Sequence, residues 1–160
     1  MKKILSVILL TFITMNVSAK TFEFYQTDNI HNKLRLNTIT GEIYQLQSDG
    51  QKFLINPAIS PKGQGGRYDL VKTKNMWTYI LVDSFHGKLW QCQYSIKGDN
   101  YRFCETINGT ALAKTNTRKF TIEPMTSMFQ YYLINQQNGK MWQFQWSNKS
   151  EDGYIWIKEY

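Results

Sequence analysis

LVDSFHGKLWQCQYS (residues 81–95) returns as LINQQNGKMWQFQWS (133–147), and a fainter copy, RLNTITGEIYQLQ (35–47), lies upstream. The three phrases extend to the left without gaps. Residues 20–47, 66–93 and 118–145 superpose with offsets of 46 and 52. Phe22, Tyr68 and Phe120 coincide, as do Phe24, Leu70 and Ile122. Asn37, Asp83 and Asn135 coincide, then Gly41, Gly87 and Gly139. Tyr44, Trp90 and Trp142 are each followed by Gln-x-Gln. Self-similarity at a period near fifty residues marks an internal repeat, in which one unit cannot bury its apolar face alone. The expected units are 20–65, 66–117 and 118–160.

Each unit is expected to form four short strands. In the second, RYDLVKT alternates, MWTYILV is β-branched and aromatic, and KLWQCQYS and YRFCETI follow, separated by turn residues. No window carries a helical period. The spacing Asx-x-x-x-Gly between the second and third strands specifies a turn. The Asx side chain accepts from nearby amides, and glycine takes the positive φ that closes the loop. Turn chemistry accounts for Asp83 and His86, and no catalytic role is assigned to them.

The pattern also suggests registers for the last hairpin of each unit. Asp49-Gly50 as a two-residue turn pairs Leu46 with Phe53 and Tyr44 with Ile55. Gly98-Asp99 in the same role pairs Tyr94 with Phe103, Cys92 with Glu105 and Trp90 with Ile107. Cys92 and Cys104 then point to opposite faces, although a one-residue bulge would bring them together. Compartment favours a disulfide and this register opposes one, so the sequence leaves the bridge open.

The expected fold is all-β: three four-stranded repeats closed around a pseudo-threefold axis. It would be β-trefoil-like, or a short propeller-like or shallow barrel of hairpins, since closure removes sheet edges. The segment YILVDSFHGKLWQ resembles the strand–turn–strand of quinoprotein-type propeller blades, over about a dozen residues per unit. Three units depart from that family, whose propellers have at least four blades. Over its full length the pattern resembles small, uncharacterised exported bacterial β-repeat proteins. That resemblance implies export and an all-β fold, and carries no activity with it.

The first nineteen residues are expected to be a secretory signal peptide. Lys2 and Lys3 precede an apolar run over 4–13 that is too short to span a bilayer, and Val17-Ser18-Ala19 offers small residues for cleavage. The mature domain would then be 20–160, periplasmic or secreted, with no transmembrane segment. The formal charge is +7, of which two lie in the leader. The remainder is scattered in pairs at most, which argues against a nucleic-acid partner.

No metal or cofactor is expected. His31 and His86 lie in different units without ligand spacing, and nothing forms a nucleophile–base–orienter set. The expected function is therefore a non-catalytic binding module for a carbohydrate, peptide or cell-envelope component. The alternative is a structural or assembly protein that packs through its repeat faces.

Two features nominate a site. Six glutamines, Gln45, Gln47, Gln91, Gln93, Gln143 and Gln145, oppose the aromatic face of the third strands. Their amides either line a polar mouth or stitch one unit to the next. Unit one also breaks the symmetry. Where the other units have Trp77-x-Tyr79-x-Leu81 and Phe129-x-Tyr131-x-Leu133, it has His31-x-Lys33-x-Arg35. Period two places these basic groups on one strand face, either solvated or open to an anion. The nominated ligand-binding residues are Gln91, Gln93, Gln143, Gln145, His31, Lys33 and Arg35. Trp90 and Trp142, which align with Tyr44, are assigned to the core.

Overall fold

The structure, a computed structural model, describes residues 19–146. The expected leader lies outside these residues apart from Ala19, as does the end of the third unit with Trp156. Eleven strands are described: β1 (Phe22–Gln26), β2 (Asn32–Asn37), β3 (Ile43–Gln47), β4 (Lys52–Asn56), β5 (Tyr68–Lys72), β6 (Thr78–Asp83), β7 (Lys88–Gln93), β8 (Phe103–Thr106), β9 (Phe120–Pro124), β10 (Gln130–Asn135) and β11 (Met141–Gln145). They form three antiparallel sheets in which each strand pairs with its chain neighbours: β1-β2-β3-β4, β5-β6-β7-β8 and β9-β10-β11. The protein is all-β, and among the described residues the only helical piece is a 3-10 turn at Asp99–Tyr101. No helix among them is long and apolar enough to cross a membrane.

The sheets pack face to face in series. Leu34, Leu36, Ile43 and Ile55 of the first sheet meet Tyr68, Leu70, Tyr79, Leu81, Trp90 and Tyr94 of the second. A separate core joins Ile80, Val82, Leu89 and Ile107 of the second to Phe120, Ile122, Tyr131, Leu133 and Phe144 of the third. Side chains alternate across a strand, so residues at one parity of β6 enter one core and those at the other parity enter the next. All six residues of β6 are buried, whereas β2 alternates between buried and open positions. TYILVD can be apolar on both faces because its sheet lies between two others. NKLRLN is apolar on one face because its sheet lies at an end. Closure around a shared axis would bring the third sheet onto the first; among the described residues the two cores instead join first to second and second to third.

The repeated turn takes the same form three times. Gly41, Gly87 and Gly139 have φ of 76°, 68° and 74°. Their amides donate to the carbonyls of Asn37, Asp83 and Asn135 at 2.9, 2.8 and 2.8 Å. The side chains of Asn37, Asp83 and Asn135 accept from Ile39, Phe85 and Gln137 amides at 3.0, 3.1 and 2.9 Å. The three residues between them are thus free to vary while the ends are not.

Both expected hairpin registers are displaced by one residue. In the first sheet Gln45 faces Phe53 and Tyr44 faces Leu54, with an irregularity between Ile43 and Tyr44. The turn has three residues, 48–50, closed by a bond from Gln47 N to Gln51 O at 2.9 Å, with Gly50 at φ 87°. A three-residue loop ending in a left-handed glycine is the next hairpin solution after the two-residue one. In the second sheet Cys92 faces Cys104, Gln93 faces Phe103 and Trp90 faces Thr106. The connection there is a loop over 94–102 rather than a tight turn. Tyr94 N bonds Trp77 O instead of β8. A one-residue slip exchanges faces along the whole strand. It moves Ile107 into the second core and brings the two sulfurs together. Cys92 and Cys104 form a disulfide, with Cα atoms 4.0 Å apart.

Candidate functional site

Two clefts open at the same end of the first two sheets. One, of about 300 Å³, lies over the start of β2 and the end of β3, and is lined by Ile30, His31, Asn32, Lys33, Leu46, Gln47 and Ser48. The other, of about 290 Å³, lies at the same place in the second sheet. Trp77, Gln93 and Tyr94 line it, and these align with His31, Gln47 and Ser48 of the first. Ile96, Lys97 and Tyr101 complete its wall.

The local backbone explains the shared position. Ser48 N donates to His31 O at 2.9 Å, Tyr94 N to Trp77 O at 3.1 Å and Trp146 N to Phe129 O at 3.1 Å. Each bond closes the ladder between the second and third strands of its sheet just before the chain turns away. In the second and third sheets an aromatic pair sits on this bond. Trp77 and Tyr94 have ring centroids 5.1 Å apart, as do Phe129 and Trp146. The first sheet has His31 and Ser48 instead, so its cleft lacks the aromatic pair.

The second cleft combines the chemistry of a mixed-polarity ligand. Tyr101 and Ile96 are exposed, at 53% and 56%, and Trp77 is half-buried. Lys97 supplies a cation. The Gln93 amide donates to Tyr101 O at 3.2 Å, which fixes the side chain against the loop. Its amide oxygen is an acceptor on the same group. Beneath, Tyr94 is 1% exposed, and its hydroxyl has no hydrogen-bond partner among the described residues. Ring faces stack on sugars and attract cations, and the amide and ammonium orient polar groups.

The nominated residues are only partly brought together. His31 and Lys33 share the first cleft and Gln93 lines the second. Arg35 points to the outer face of the first sheet, between the rings of Phe22 and Tyr44 at 5.2 and 4.9 Å, and pairs with Glu42 at 3.6 Å. Gln143 and Gln145 are half-buried in the third sheet. Gln91 is 6% exposed, which corrects its expected place on an open polar face. The face opposite Trp90 is interior because the third sheet covers it. Gln45 shows what such an amide does there. It is fully buried, donates to Asn32 Oδ1 at 2.6 Å and accepts from Arg102 Nε at 2.8 Å and Ser95 N at 3.3 Å, stitching the first sheet to the second. Trp77, Ile96, Lys97 and Tyr101 were not nominated. The signal for Trp77 was its alignment with His31; the others depend on the conformation of a long loop.

One cluster of ionisable groups lies at the opposite end, beside the repeated turn. Arg67 spans both oxygens of Asp83 at 2.6–3.2 Å and reaches His86 Nδ1 at 3.0 Å. Nδ1 also lies 3.1 Å from Asp83 Oδ2. The hydrogen bond to Asp83 raises the Arg67 pKa above its ordinary value. Ser84 is fully buried and its hydroxyl donates to Arg67 O at 2.7 Å. These groups hold the turn and the entry to β5, and no oxygen among them is poised as a nucleophile.

No family model, characterised protein or solved structure matches this chain.

Proposed function

We propose that this is an exported, non-catalytic binding module whose ligand occupies the cleft of Trp77, Gln93, Lys97 and Tyr101. The observation that carries the proposal is the pairing of clefts: two aligned positions, one aromatic and one basic, open at the same end of neighbouring sheets. The three sheets are, on this proposal, copies of one unit arranged like successive propeller blades, so that the same strand ends recur side by side. A glycan or envelope fragment carrying an anionic group fits the pair. Its ring would stack in the second cleft, and its charge would meet His31 and Lys33 in the first. Export to the periplasm or beyond is part of the same proposal, and the disulfide between Cys92 and Cys104 is compatible with it.

The test is a screen of neutral glycans, peptidoglycan fragments and anionic polymers, followed by tryptophan fluorescence and calorimetry. Tyr101→Ala with Gln93→Ala should weaken any ligand found by about tenfold or more, since loss of stacking and a hydrogen bond amounts to about 1.5–3 kcal/mol. His31→Ala with Lys33→Ala should weaken charged ligands selectively. A ligand that binds both double variants as tightly as the parent would place the site elsewhere.

The assembly alternative has an observation of its own. The outer face of the first sheet exposes Phe22, Phe24 and Leu54 at 44%, 61% and 48%.

A further inference from the structure

The series of sheets leaves two unlike ends, and they are the halves of a contact the molecule already makes twice. At each internal junction a turn glycine lies against the first aromatic residue of the next unit. A Cβ on Gly41 would meet the Tyr68 ring at 3.2 Å, and one on Gly87 would meet the Phe120 ring at 3.1 Å. Beside each glycine a carbonyl accepts the amide of that same aromatic residue. Tyr68 N donates to Thr38 O and Phe120 N to Ser84 O, both at 2.9 Å. Thr38 and Ser84 are accordingly 1% and 0% exposed. The aligned residues at the two ends are Gly139 and Gln136 on the third sheet, and Phe22 on the first. Gly139 and Gln136 are exposed. A Cβ on Gly139 would meet nothing within 4 Å among the described residues. Phe22 is 44% exposed, where Tyr68 and Phe120 are 1% exposed.

The rest of the two faces follows suit. Phe24 is 61% exposed where its aligned partners Leu70 and Ile122 are 4% and 7% exposed. On the third sheet Ile134 and Met141 are half-buried, where their aligned partners Leu36, Val82, Ile43 and Leu89 are at most 2% exposed. Charge is complementary as well. Lys33 stands on the first sheet's outer face where Tyr79 and Tyr131 stand at the internal junctions. Tyr79 Oη donates to Gln26 O of the preceding sheet at 3.2 Å. The residue aligned with Gln26 on the third sheet is Pro124, next to the exposed Glu123. A junction between the two ends would therefore bring Lys33 toward Glu123.

We propose that a second copy of this chain continues the series, with the outer face of its third sheet packed on the outer face of the first. Pairing two first sheets instead would oppose Lys33, Arg35 and Lys52 to their own copies. The head-to-tail junction is heterologous, so it closes only if the rotation per unit allows. Three sheets fall below the smallest propeller ring, whereas two copies provide six, within the usual range of four to eight. The expected assembly is a pair of chains with two identical junctions. Lys33 belongs to both this junction and the first cleft, so pairing would cover that cleft, whereas the cleft of Trp77, Gln93, Lys97 and Tyr101 shares no residue with the variants tested.

Sedimentation equilibrium with three variants tests the pairing. Lys33→Glu and Glu123→Lys alter exposed side chains, and Phe24→Ser alters an open one, so each should melt close to the parent's monomer. The parent should sediment as two chains and dissociate on dilution. Each charge variant alone should associate at least about tenfold more weakly, because both junctions would hold like charges. An equimolar mixture of the two charge variants should recover pairing. The carboxylate introduced in one chain then faces the ammonium introduced in the other, and the second junction keeps its native Lys33 and Glu123. Phe24→Ser should weaken pairing without any such rescue. A parent that stays monomeric up to its solubility limit would overturn the proposal. So would Glu123→Lys pairing as tightly as the parent, which is the result expected if two first sheets met.

Discussion

Replacing glycine by alanine at position 87 and, separately, at position 139 splits the role of the repeated turn into two measurable parts. Both glycines have left-handed backbone, at φ 68° and 74°. A side chain there costs about 1–2 kcal/mol from backbone sterics alone. Gly139→Ala should lose that much and no more in a monomeric sample, because its Cβ would enter open space among the described residues. Gly87→Ala has a second cost. Its Cβ would lie 3.1 Å from three carbons of the Phe120 ring. That ring is 1% exposed in the core between the second and third sheets, so it cannot swing away into solvent. Overpacking of this kind adds about 1–3 kcal/mol. Gly87→Ala should therefore lose about 2–5 kcal/mol, and the difference between the variants should be at least about 1 kcal/mol. Urea melts followed by tryptophan fluorescence at low protein concentration measure both values. A smaller loss at 87 than at 139 would refute the reasoning, since it would mean that the turn does not sit under the next sheet. Phe120→Leu in the Gly87→Ala background should recover part of the difference, because it removes the ring and leaves the backbone term in place.

Three further outcomes follow from buried groups. Reducing the Cys92–Cys104 bridge should cost about 2–3 kcal/mol in urea melts, as expected for opening a loop of 12-residue separation; an unchanged melt would mean that the bridge does not form. Gln45→Ala should cost about 1–3 kcal/mol, because Asn32, Ser95 and Arg102 each lose a buried partner, whereas Gln47→Ala at the cleft should be nearly neutral. Alkaline titration should find tyrosines that resist ionisation: burial, then the charge of Asp83, pushes Tyr68 up to about 12, and burial also raises Tyr25, Tyr79 and Tyr131. A folded pKa above the unfolded value of about 10 gives stability that is intact below pH 10 and lost as pH rises toward 12, so absorbance at the phenolate band should rise in step with loss of near-ultraviolet circular dichroism.

What the sequence made legible was chemistry that acts within a few residues. The turns at 37–41, 83–87 and 135–139 could be assigned because the Asx side chain and the glycine meet their partners inside the same loop. The strands of the second unit were legible for the same reason. Hairpin register was not, because it depends on how many residues the loop uses. Asp49-Gly50 became the end of a three-residue turn, and Gly98-Asp99 dissolved into a longer loop with its own 3-10 turn. That single-residue shift decided the disulfide. Burial of Gln91 was hidden because its sequence environment matches that of Gln45 and Gln143, and only the stacking order says which faces are interior. The strip of His31, Lys33 and Arg35 was visible as broken symmetry. Its cause lies in the position of the first sheet at an end of the series: His31 and Lys33 line the cleft that opens on the outer face, and Arg35 lies farther along that face between Phe22 and Tyr44. Tyr101, Ile96 and Lys97 carried no signal, since nothing in a loop's composition says which side chains it will gather over Trp77.

The central claim is that the three sheets lie in series, with the second between the others. The most direct test is a distance between the outer faces of the first and third sheets, measured by double electron–electron resonance. Spin labels go on cysteines introduced at Lys33 and Glu123, both exposed, with the native pair Cys92 and Cys104 held in its disulfide. Labelled chain is diluted in excess unlabelled chain so that only distances within one molecule count. Sheets stack about 10 Å apart, so a series places the first and third at about 20 Å and outward labels farther still. A distribution centred beyond about 20 Å is the predicted result. One centred near 10 Å, the spacing of directly packed sheets, would mean that the third sheet closes onto the first and would contradict the account.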